Sequence, residues 1–140
     1  MTRTRHDSPA EVSKAFAEAI NTGDVQSALD LYRDDAVLLA PDGSQARGTD
    51  AIGQLLKNVI SMRGEMTIHV RSVVVTGDFA VASEDWTMRL EAGGSNENEQ
   101  RGQSIVCFAR GVDGWRFVID APWGFAPVQD QPPIGVRGID

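Results

Sequence analysis

The second half of the chain alternates between apolar and polar residues, and this two-residue period limits the fold more than any other feature of the sequence. Four long segments carry the period: 66–76, 79–90, 100–110 and 115–125. It is typical of β-strands that bury one face. Residues 77–78, 93–96 and 112–114 separate consecutive segments and are rich in glycine, aspartate and asparagine, which suits hairpin turns. The pattern therefore predicts an antiparallel sheet in which consecutive strands are neighbours.

The first half of the chain has a helical period instead. Residues 8–11, Ser-Pro-Ala-Glu, predict a helix start, because serine is a common N-cap and proline fits the first helical position. Residues 21–23 end this helix, and a second helix follows with Tyr32 on its apolar stripe. A third helix is predicted from about Gly48 to Gly64, after an extended run at 36–40.

Helices that precede an antiparallel sheet predict an α+β fold. We expect the three N-terminal helices to pack on one face of a curved, mostly antiparallel β-sheet, which forms a cone with an internal pocket. We expect a flexible N-terminus at 1–7, a single domain at 8–125 and a Pro/Gly-rich C-terminal tail at 126–140.

The composition narrows the classes of partner. The 140-residue chain has 13 basic and 20 acidic residues, a formal net charge of -7, which predicts no nucleic-acid partner because a phosphate backbone would be repelled. No apolar stretch reaches the roughly 18 residues that suggest a membrane span, and residues 1–7 are polar, so we expect a cytoplasmic protein with no membrane partner. One cysteine, Cys107, and two histidines, His6 and His69, suit no zinc site. We expect neither a metal nor a cofactor.

Several motifs within residues 8–125 resemble those of the nuclear transport factor 2-like superfamily. These motifs are Gly23-Asp24, the stretch from Leu31 to Val37, Gly48 at the start of the third helix, and Asp113-Gly114-Trp115-Arg116 before the last strand. Within the superfamily the chain is most similar to SgcJ-like and SnoaL-like proteins, which are relatives of ketosteroid isomerase. The resemblance implies a cystatin-like cone, a hydrophobic, polyketide-like small molecule in its pocket, and a homodimer formed through the outer face of the sheet.

The residues that perform ketosteroid isomerase chemistry are absent at the positions where the resemblance places them. Phe16 replaces the oxyanion-binding tyrosine, and Ala40 replaces the proton-shuttling aspartate. The second oxyanion donor falls near Val106. Because stabilising a dienolate needs a base and a donor at these places, steroid isomerisation by that mechanism is excluded.

Strand parity predicts the pocket lining, because side chains alternate across a strand. The superposition that places Ala40 inward also places Phe117 and Ile119 inward on the last strand. The candidate ligand-binding residues on this face and on the helices are Phe16, Tyr32, Leu56, Trp86, Met88, Ser104, Phe108 and Trp123. Most of them are apolar, and such a lining suits a flat, hydrophobic small molecule.

Glu84 is the first candidate for a catalytic residue. It falls on the inward face between apolar residues, where loss of solvent raises the pKa of a carboxyl group towards the range that acid/base catalysis needs. Three alternatives stay open. Glu84 orients a ligand, it pairs with an arginine for stability alone, or a register slip turns it outward and Asp85 inward.

Asp120 is the second candidate, because SnoaL-like cyclases are thought to use a carboxylate in their pocket. Alternation opposes this role: Asp120 shares parity with Arg116 and should face outward unless Pro122 marks a bulge. On the outer face Asp120 and His69 would belong to a polar network at a subunit interface. The apolar residues expected on that face are Val73, Val75 and Ile105.

Three functions are compatible with these features. The first is a cofactor-independent acid/base enzyme, such as an isomerase, cyclase or hydrolase, that acts on a hydrophobic compound. The second is a non-catalytic protein that binds such a compound between Trp86 and Trp123. The third is a dimerisation module whose pocket is vestigial.

Overall fold

The computed structural model of the chain describes residues 4–90, 99–125 and 135, and it has the predicted α+β architecture. The helices are α1 (Pro9–Thr22), α2 (Val25–Leu29) and α3 (Gly48–Ser61). The strands are β1 (Tyr32–Leu39), β2 (Gln45–Arg47), β3 (Gly64–Thr76), β4 (Phe79–Leu90), β5 (Glu99–Gly111) and β6 (Gly114–Ala121). They form one sheet in the order β2-β1-β6-β5-β4-β3. Only the β1–β6 pair is parallel among the described strands, so the sheet is mostly antiparallel.

The capping residues predicted from the sequence set the ends of α1. The Ser8 hydroxyl accepts a hydrogen bond from the Glu11 backbone N–H at 3.2 Å, which satisfies a donor left free in the first helical turn. Gly23 has a φ of 75°, a left-handed conformation that glycine adopts without strain, and its N–H returns to the last turn of the helix. Asp24 caps α2 in the same way as Ser8 caps α1.

Tyr32 is not on the second helix, as the apolar spacing predicted, but is the first residue of β1. The helix ends at Leu29, and the Leu31 carbonyl accepts a hydrogen bond from the Phe117 N–H at 2.9 Å. Pairing with β6 therefore overrides the helical pattern at Tyr32. The structure also has the short strand β2, which was not predicted, and β6 ends at Ala121 rather than at residue 125.

The hairpins predicted at 77–78 and 112–114 are present, although Gly114 is already the first residue of β6, and the loop predicted at 93–96 lies outside the described residues. The predicted tail at 126–140 also lies outside them, apart from Gly135. Within the predicted N-terminal segment, the His6 carbonyl accepts a hydrogen bond from the Trp115 N–H at 2.9 Å. This bond joins the segment to the start of β6.

The core lies between the three helices and the inner face of the sheet. Its buried side chains include Val12, Ile20, Ile52, Leu56, Ala82, Val106, Phe108 and Phe117. Burying a valine, leucine, isoleucine or phenylalanine side chain contributes roughly 1.5–3 kcal/mol relative to leaving it in water. The helices cover this face, and the opposite face of the sheet is left without a covering layer among the described residues.

A bulge in β6 reverses the parity that the sequence predicted for the end of this strand. Cys107 pairs with Ile119 and Phe108 pairs with Phe117, so Val118 is an extra residue in β6. Phe117 therefore faces inward as predicted, but Ile119 faces outward with Cys107. Asp120 faces inward and is buried, so its predicted outward orientation is wrong. The bulge lies at Val118 and not at Pro122.

A second bulge changes the outer face of β3. Val70 pairs with Glu84 and Ser72 pairs with Ser83, which leaves Arg71 as the extra residue. Beyond this bulge Val73 and Val75 pair with the inward-facing residues Ala82 and Ala80. The prediction that Val73 and Val75 lie on the outer face is therefore wrong, while Ile105 lies there as predicted, because it pairs with the outward-facing Ser83.

Gly102 makes room for the largest side chain of the inner face. It is the β5 partner of Trp86, and a Cβ atom at Gly102 would lie 2.5 Å from two carbon atoms of the Trp86 indole. The indole is held in place by a hydrogen bond from its Nε1 to the Pro122 carbonyl at 2.7 Å. Trp86 therefore cannot move aside without losing this bond.

We expect Gly102→Ala to lower the free energy of unfolding by about 1–3 kcal/mol, because overpacking forces the indole out of its position. Urea unfolding monitored by tryptophan fluorescence measures the change. Gly111→Ala is the matched control, since a Cβ atom at Gly111 meets nothing within 4 Å. If the two variants are equally stable, the Trp86 indole can make room for the added methyl group, and the expected overpacking does not occur.

Candidate functional site

An internal cavity of about 290 Å³ lies between the helices and the inner face of the sheet. Its apolar lining includes Phe16, Tyr32, Leu38, Leu55, Leu56, Met66, Ile68, Trp86, Met88, Val106, Phe117 and Trp123. The polar lining residues are Asn58, Glu84, Gln100, Ser104 and Asp120. A cavity of this kind, apolar with a few polar groups, is typical of sites for small organic molecules.

Seven of the eight residues predicted to bind a ligand line this cavity: Phe16, Tyr32, Leu56, Trp86, Met88, Ser104 and Trp123. Phe108 does not. It is only 1% exposed, and its ring packs on that of Phe117 with the two centroids 5.3 Å apart. Phe117 forms the cavity wall at this level of the sheet, so Phe108 belongs to the core and its predicted place in the lining is wrong.

Asp120 forms a buried hydrogen bond with Tyr32 at the cavity wall. The Tyr32 hydroxyl donates to Asp120 Oδ2 at 2.5 Å, and the two residues are 2% and 7% exposed. Burial raises the pKa of Asp120 to about 6, although the hydrogen bond from Tyr32 opposes the rise. Burial and the neighbouring Asp120 carboxylate hold the pKa of Tyr32 well above its usual value. Tyr32 therefore keeps its proton and acts as a donor.

Glu84 forms a second pair of the same kind on β4. The Ser13 hydroxyl of α1 donates to Glu84 Oε2 at 2.5 Å, and Glu84 is 4% exposed. Burial raises the pKa of Glu84, while the hydroxyls of Ser13 and Ser104 act in the opposite direction. The register slip that would have turned Asp85 inward is absent, because Glu84 pairs with Ser104 on the inner face.

Ser13 was missed by the sequence analysis. The available signal was its position three residues before Phe16, which places both side chains on the same face of α1. Nothing in the sequence indicated that Ser13 would meet a carboxyl group 71 residues further along the chain.

The charge of Glu84 acts on Asp120 as well as on its own hydroxyl partners. The charge of Glu84 contributes to the raised pKa of Asp120, which indicates that the two groups share one environment of low polarity. None of the described residues that line the cavity is a lysine, an arginine or a histidine. The cavity therefore combines apolar walls with two carboxyl groups and no basic partner among its described lining residues.

Trp86 and Trp123 form an aromatic corner of the cavity. Their ring centroids lie 4.9 Å apart in an edge-to-face arrangement with an interplanar angle of 81°. Trp123 follows the end of β6 and is 46% exposed, which places it at the opening between the cavity and solvent. A flat ligand that enters here would contact both indoles.

His69 lies on the outer face of the sheet as predicted, whereas Asp120 does not. His69 and Asp85 are paired across β3 and β4, and Arg71 Nε lies 3.4 Å from Asp85 Oδ2. Asp120 is absent from this group because the bulge at Val118 turns it inward. The predicted interface network therefore has to form without it.

Among the described residues, no group of three or more histidine, cysteine, aspartate and glutamate side chains is placed to hold a metal ion. In the same residues, no helix is both long enough and apolar enough to cross a membrane.

An α+β cone with an apolar internal cavity defines the nuclear transport factor 2-like class of folds, which is also described as cystatin-like. The SnoaL-like domain profile matches residues 13–121, from Ser13 on α1 to the last residue of β6. The chain therefore belongs to the SnoaL-like domain family. No curated protein sequence matches it.

Solved structures of other proteins share this fold at low sequence identity. A protein of unknown function from Shewanella oneidensis is 17% identical with a TM-score of 0.68, and the alignment covers 80% of this chain and 93% of that one. A ketosteroid isomerase-like protein from Erwinia carotovora atroseptica is 21% identical, with a TM-score of 0.66 and coverage of 80% and 89%. A protein with a cystatin-like fold from Novosphingobium aromaticivorans is 19% identical, with a TM-score of 0.69 and coverage of 79% and 75%. These similarities establish the fold.

The raised pKa of Asp120 predicts a pH dependence of stability. The folded protein holds this proton up to about pH 6, whereas the unfolded chain releases it near 3.8, so ionisation destabilises the fold between these values. We expect wild type to lose about 3 kcal/mol more than Asp120→Asn when the pH rises through this interval. Urea unfolding at a series of pH values measures the difference.

Glu18→Gln is the control for this experiment, because Glu18 is exposed on α1. It should keep the wild-type dependence on pH. If Asp120→Asn also shows the wild-type dependence of stability on pH, the pKa of Asp120 is not raised, and the carboxyl group is not buried as the structure places it.

Proposed function

We propose that this protein is a cofactor-independent acid/base enzyme that acts on a hydrophobic, polyketide-like small molecule, with Asp120 as the proton-transfer group. The observation that carries the proposal is the buried Asp120–Tyr32 pair on the wall of an apolar cavity. A proton-transfer group works best when its pKa is close to the operating pH, and Asp120 has a pKa of about 6.

In this mechanism the ionised Asp120 removes a proton from an acidic carbon of the substrate and returns it at another position. Tyr32 holds one oxygen of the carboxylate and keeps its orientation fixed during both transfers. The apolar walls keep bulk water away from the carboxylate, which strengthens it as a base, and its proton exchanges with solvent through the opening beside Trp123. The indole planes of Trp86 and Trp123 are nearly perpendicular, so a planar substrate can stack on one of them and meet the other at its edge.

Glu84 has a different role in this proposal. Ser13 anchors one of its oxygens, and Glu84 lines the same cavity as Asp120. Its charge raises the pKa of Asp120 and so brings the proton-transfer group closer to neutrality. In this proposal Glu84 therefore raises the pKa of Asp120 and contacts the ligand.

The second candidate function is non-catalytic binding of the same class of compound. The aromatic corner formed by Trp86 and Trp123 supports it, because aromatic contact with the two indoles requires no proton transfer. The third function, a module with a vestigial pocket, is less favoured because the cavity retains a volume of about 290 Å³.

Exchange of carbon-bound protons for deuterium separates the enzyme from the binding protein. We expect wild type to catalyse this exchange at the acidic carbons of planar aromatic ketones in deuterated water, monitored by proton NMR. Asp120→Asn should lower the rate about 100-fold or more, because it removes the proton acceptor. Glu84→Gln should lower it less, and binding to both variants should persist in tryptophan fluorescence titrations.

Two results would contradict parts of this proposal. Exchange at the wild-type rate in Asp120→Asn would remove Asp120 from the mechanism. Quenching of tryptophan fluorescence without any exchange in wild type would favour the binding protein over the enzyme.

We also propose that the protein forms a homodimer through the outer face of its sheet. An apolar row, here called the outer row, crosses five strands on this face: Val37, Val74, Val81, Cys107 and Ile119. Val74 is 63% exposed, which is unfavourable for a large apolar patch unless a partner covers it. Arg71 and Asp85 lie on the same face, so a two-fold axis can bring opposite charges of the two copies together.

We expect Val74→Lys to convert the dimer into a monomer, because it places a charge in the apolar outer row at its most exposed valine. Sedimentation velocity measures the change in mass. Val112→Lys is the control, since Val112 is 92% exposed at the β5–β6 turn and outside the outer row. A wild-type protein that sediments as a monomer would contradict the proposal.

A further inference from the structure

The distribution of charge in the cavity restricts the ligand more closely than its apolar walls do. Two carboxyl groups, those of Glu84 and Asp120, belong to the lining, and both residues are more than nine-tenths buried. No basic side chain occurs among the described residues that line the cavity. The cavity therefore presents negative potential to any molecule that enters it.

This potential discriminates between ligands of different charge. A ligand with a carboxylate or phosphate group would lose its hydration and meet two groups of its own sign, which is strongly unfavourable in a medium of low polarity. A ligand with one positive charge would meet a carboxylate that folding has already removed from water. Binding therefore does not add most of the free-energy cost of burying that carboxylate. The charge pattern therefore favours cations over anions.

Glu84 is better placed than Asp120 to act as the counter-ion. The Asp120 carboxyl group is held by the neutral phenol of Tyr32, and the proposed mechanism uses it for proton transfer. Glu84 has one oxygen held by Ser13, and a carboxylate has about four lone-pair sites, so acceptor capacity remains for a ligand. A cation that binds here also lowers the pKa of Glu84 and so favours its ionised form.

The aromatic residues next to Glu84 add to this preference. Trp86 lies two positions after Glu84 on β4, on the same face of the sheet, and both line the cavity. The face of an indole attracts cations, most strongly where water is excluded. A carboxylate beside an indole is therefore suited to an organic ammonium group on a hydrophobic skeleton.

We propose that the ligand of this cavity is a hydrophobic amine, bound in its ammonium form with Glu84 as counter-ion and Trp86 beside the charged group. The inference rests on the proposed function in one respect, that a hydrophobic small molecule occupies the cavity. It adds the charge and functional group of that molecule.

Three probes with one skeleton and different charge test the proposal: naphthylethylamine, naphthylethanol and naphthylacetate. Isothermal titration calorimetry at neutral pH measures the affinity of the full-length protein for each. We expect the amine to bind wild type at least about tenfold more tightly than the alcohol, which corresponds to one charge-assisted hydrogen bond. The carboxylate should bind more weakly than the alcohol.

Glu84→Gln should bring the affinity ratio of amine to alcohol close to one, with the alcohol still bound. The substitution keeps an acceptor for the Ser13 hydroxyl, so binding of the alcohol reports whether the cavity is intact. Asp120→Asn is the matched variant, since it removes the other carboxyl group of the cavity, and it should retain most of the preference for the amine.

The outcomes separate this inference from the proposed function. Equal affinities of wild type for amine and alcohol would overturn the preference for an amine and leave a small-molecule site in place. A ratio that falls in Asp120→Asn but not in Glu84→Gln would overturn the assignment of Glu84 as counter-ion. If none of the three probes binds, the small-molecule site itself is contradicted, and the inference with it.

Discussion

The extra residue at Val118 in β6 is the structural constraint on which the candidate site depends. Without it, the alternation that places Phe117 inward would place Asp120 on the outer face. The bulge turns Asp120 into the cavity, where Tyr32 of the neighbouring parallel strand can donate a hydrogen bond to it. Bulges are common beside functional sites because they redirect a side chain without ending the strand.

Hydrogen bonds from hydroxyl groups stabilise the burial of the two carboxyl groups, and neither carboxyl group forms a salt bridge with any of the described residues. Ser13 donates to Glu84, and Tyr32 donates to Asp120, each at 2.5 Å. A neutral donor compensates only part of the loss of hydration, so the pKa of each carboxyl group remains raised. A buried arginine would have lowered these pKa values and removed the groups from the range useful for proton transfer. Because their partners are hydroxyl groups, both carboxyl groups keep a raised pKa and can take part in proton transfer.

The cavity departs from ketosteroid isomerase at the residues that carry out the chemistry, although the fold is related. Phe16 and Ala40 both line the cavity as apolar residues, where the resemblance would have placed a donor and a base. The acidic groups of this cavity enter instead from β4 and from the end of β6. The same cone thus presents its acidic groups from different strands, which is how one fold can support different activities.

Much of the fold followed from the sequence alone. The helical spacing before residue 64 and the two-residue period after it predicted the α+β order, and Ser8 and Gly23 predicted the ends of α1. These features depend on residues close together in the chain, where capping and alternation act locally. Seven of the residues expected in the pocket also lie in its lining.

The orientation of Asp120, the partner of Glu84 and the strand position of Tyr32 were determined only by the tertiary structure. A bulge forms between two strands that pair, so counting along one strand cannot reveal that Val118 is an extra residue. Ser13 and Glu84 meet because α1 packs across the sheet, and they are 71 residues apart in sequence. Tyr32 joins β1 because pairing with β6 outweighs a local helical pattern. Local periodicity specified the elements, whereas contacts between distant strands and helices specified the chemistry of the cavity.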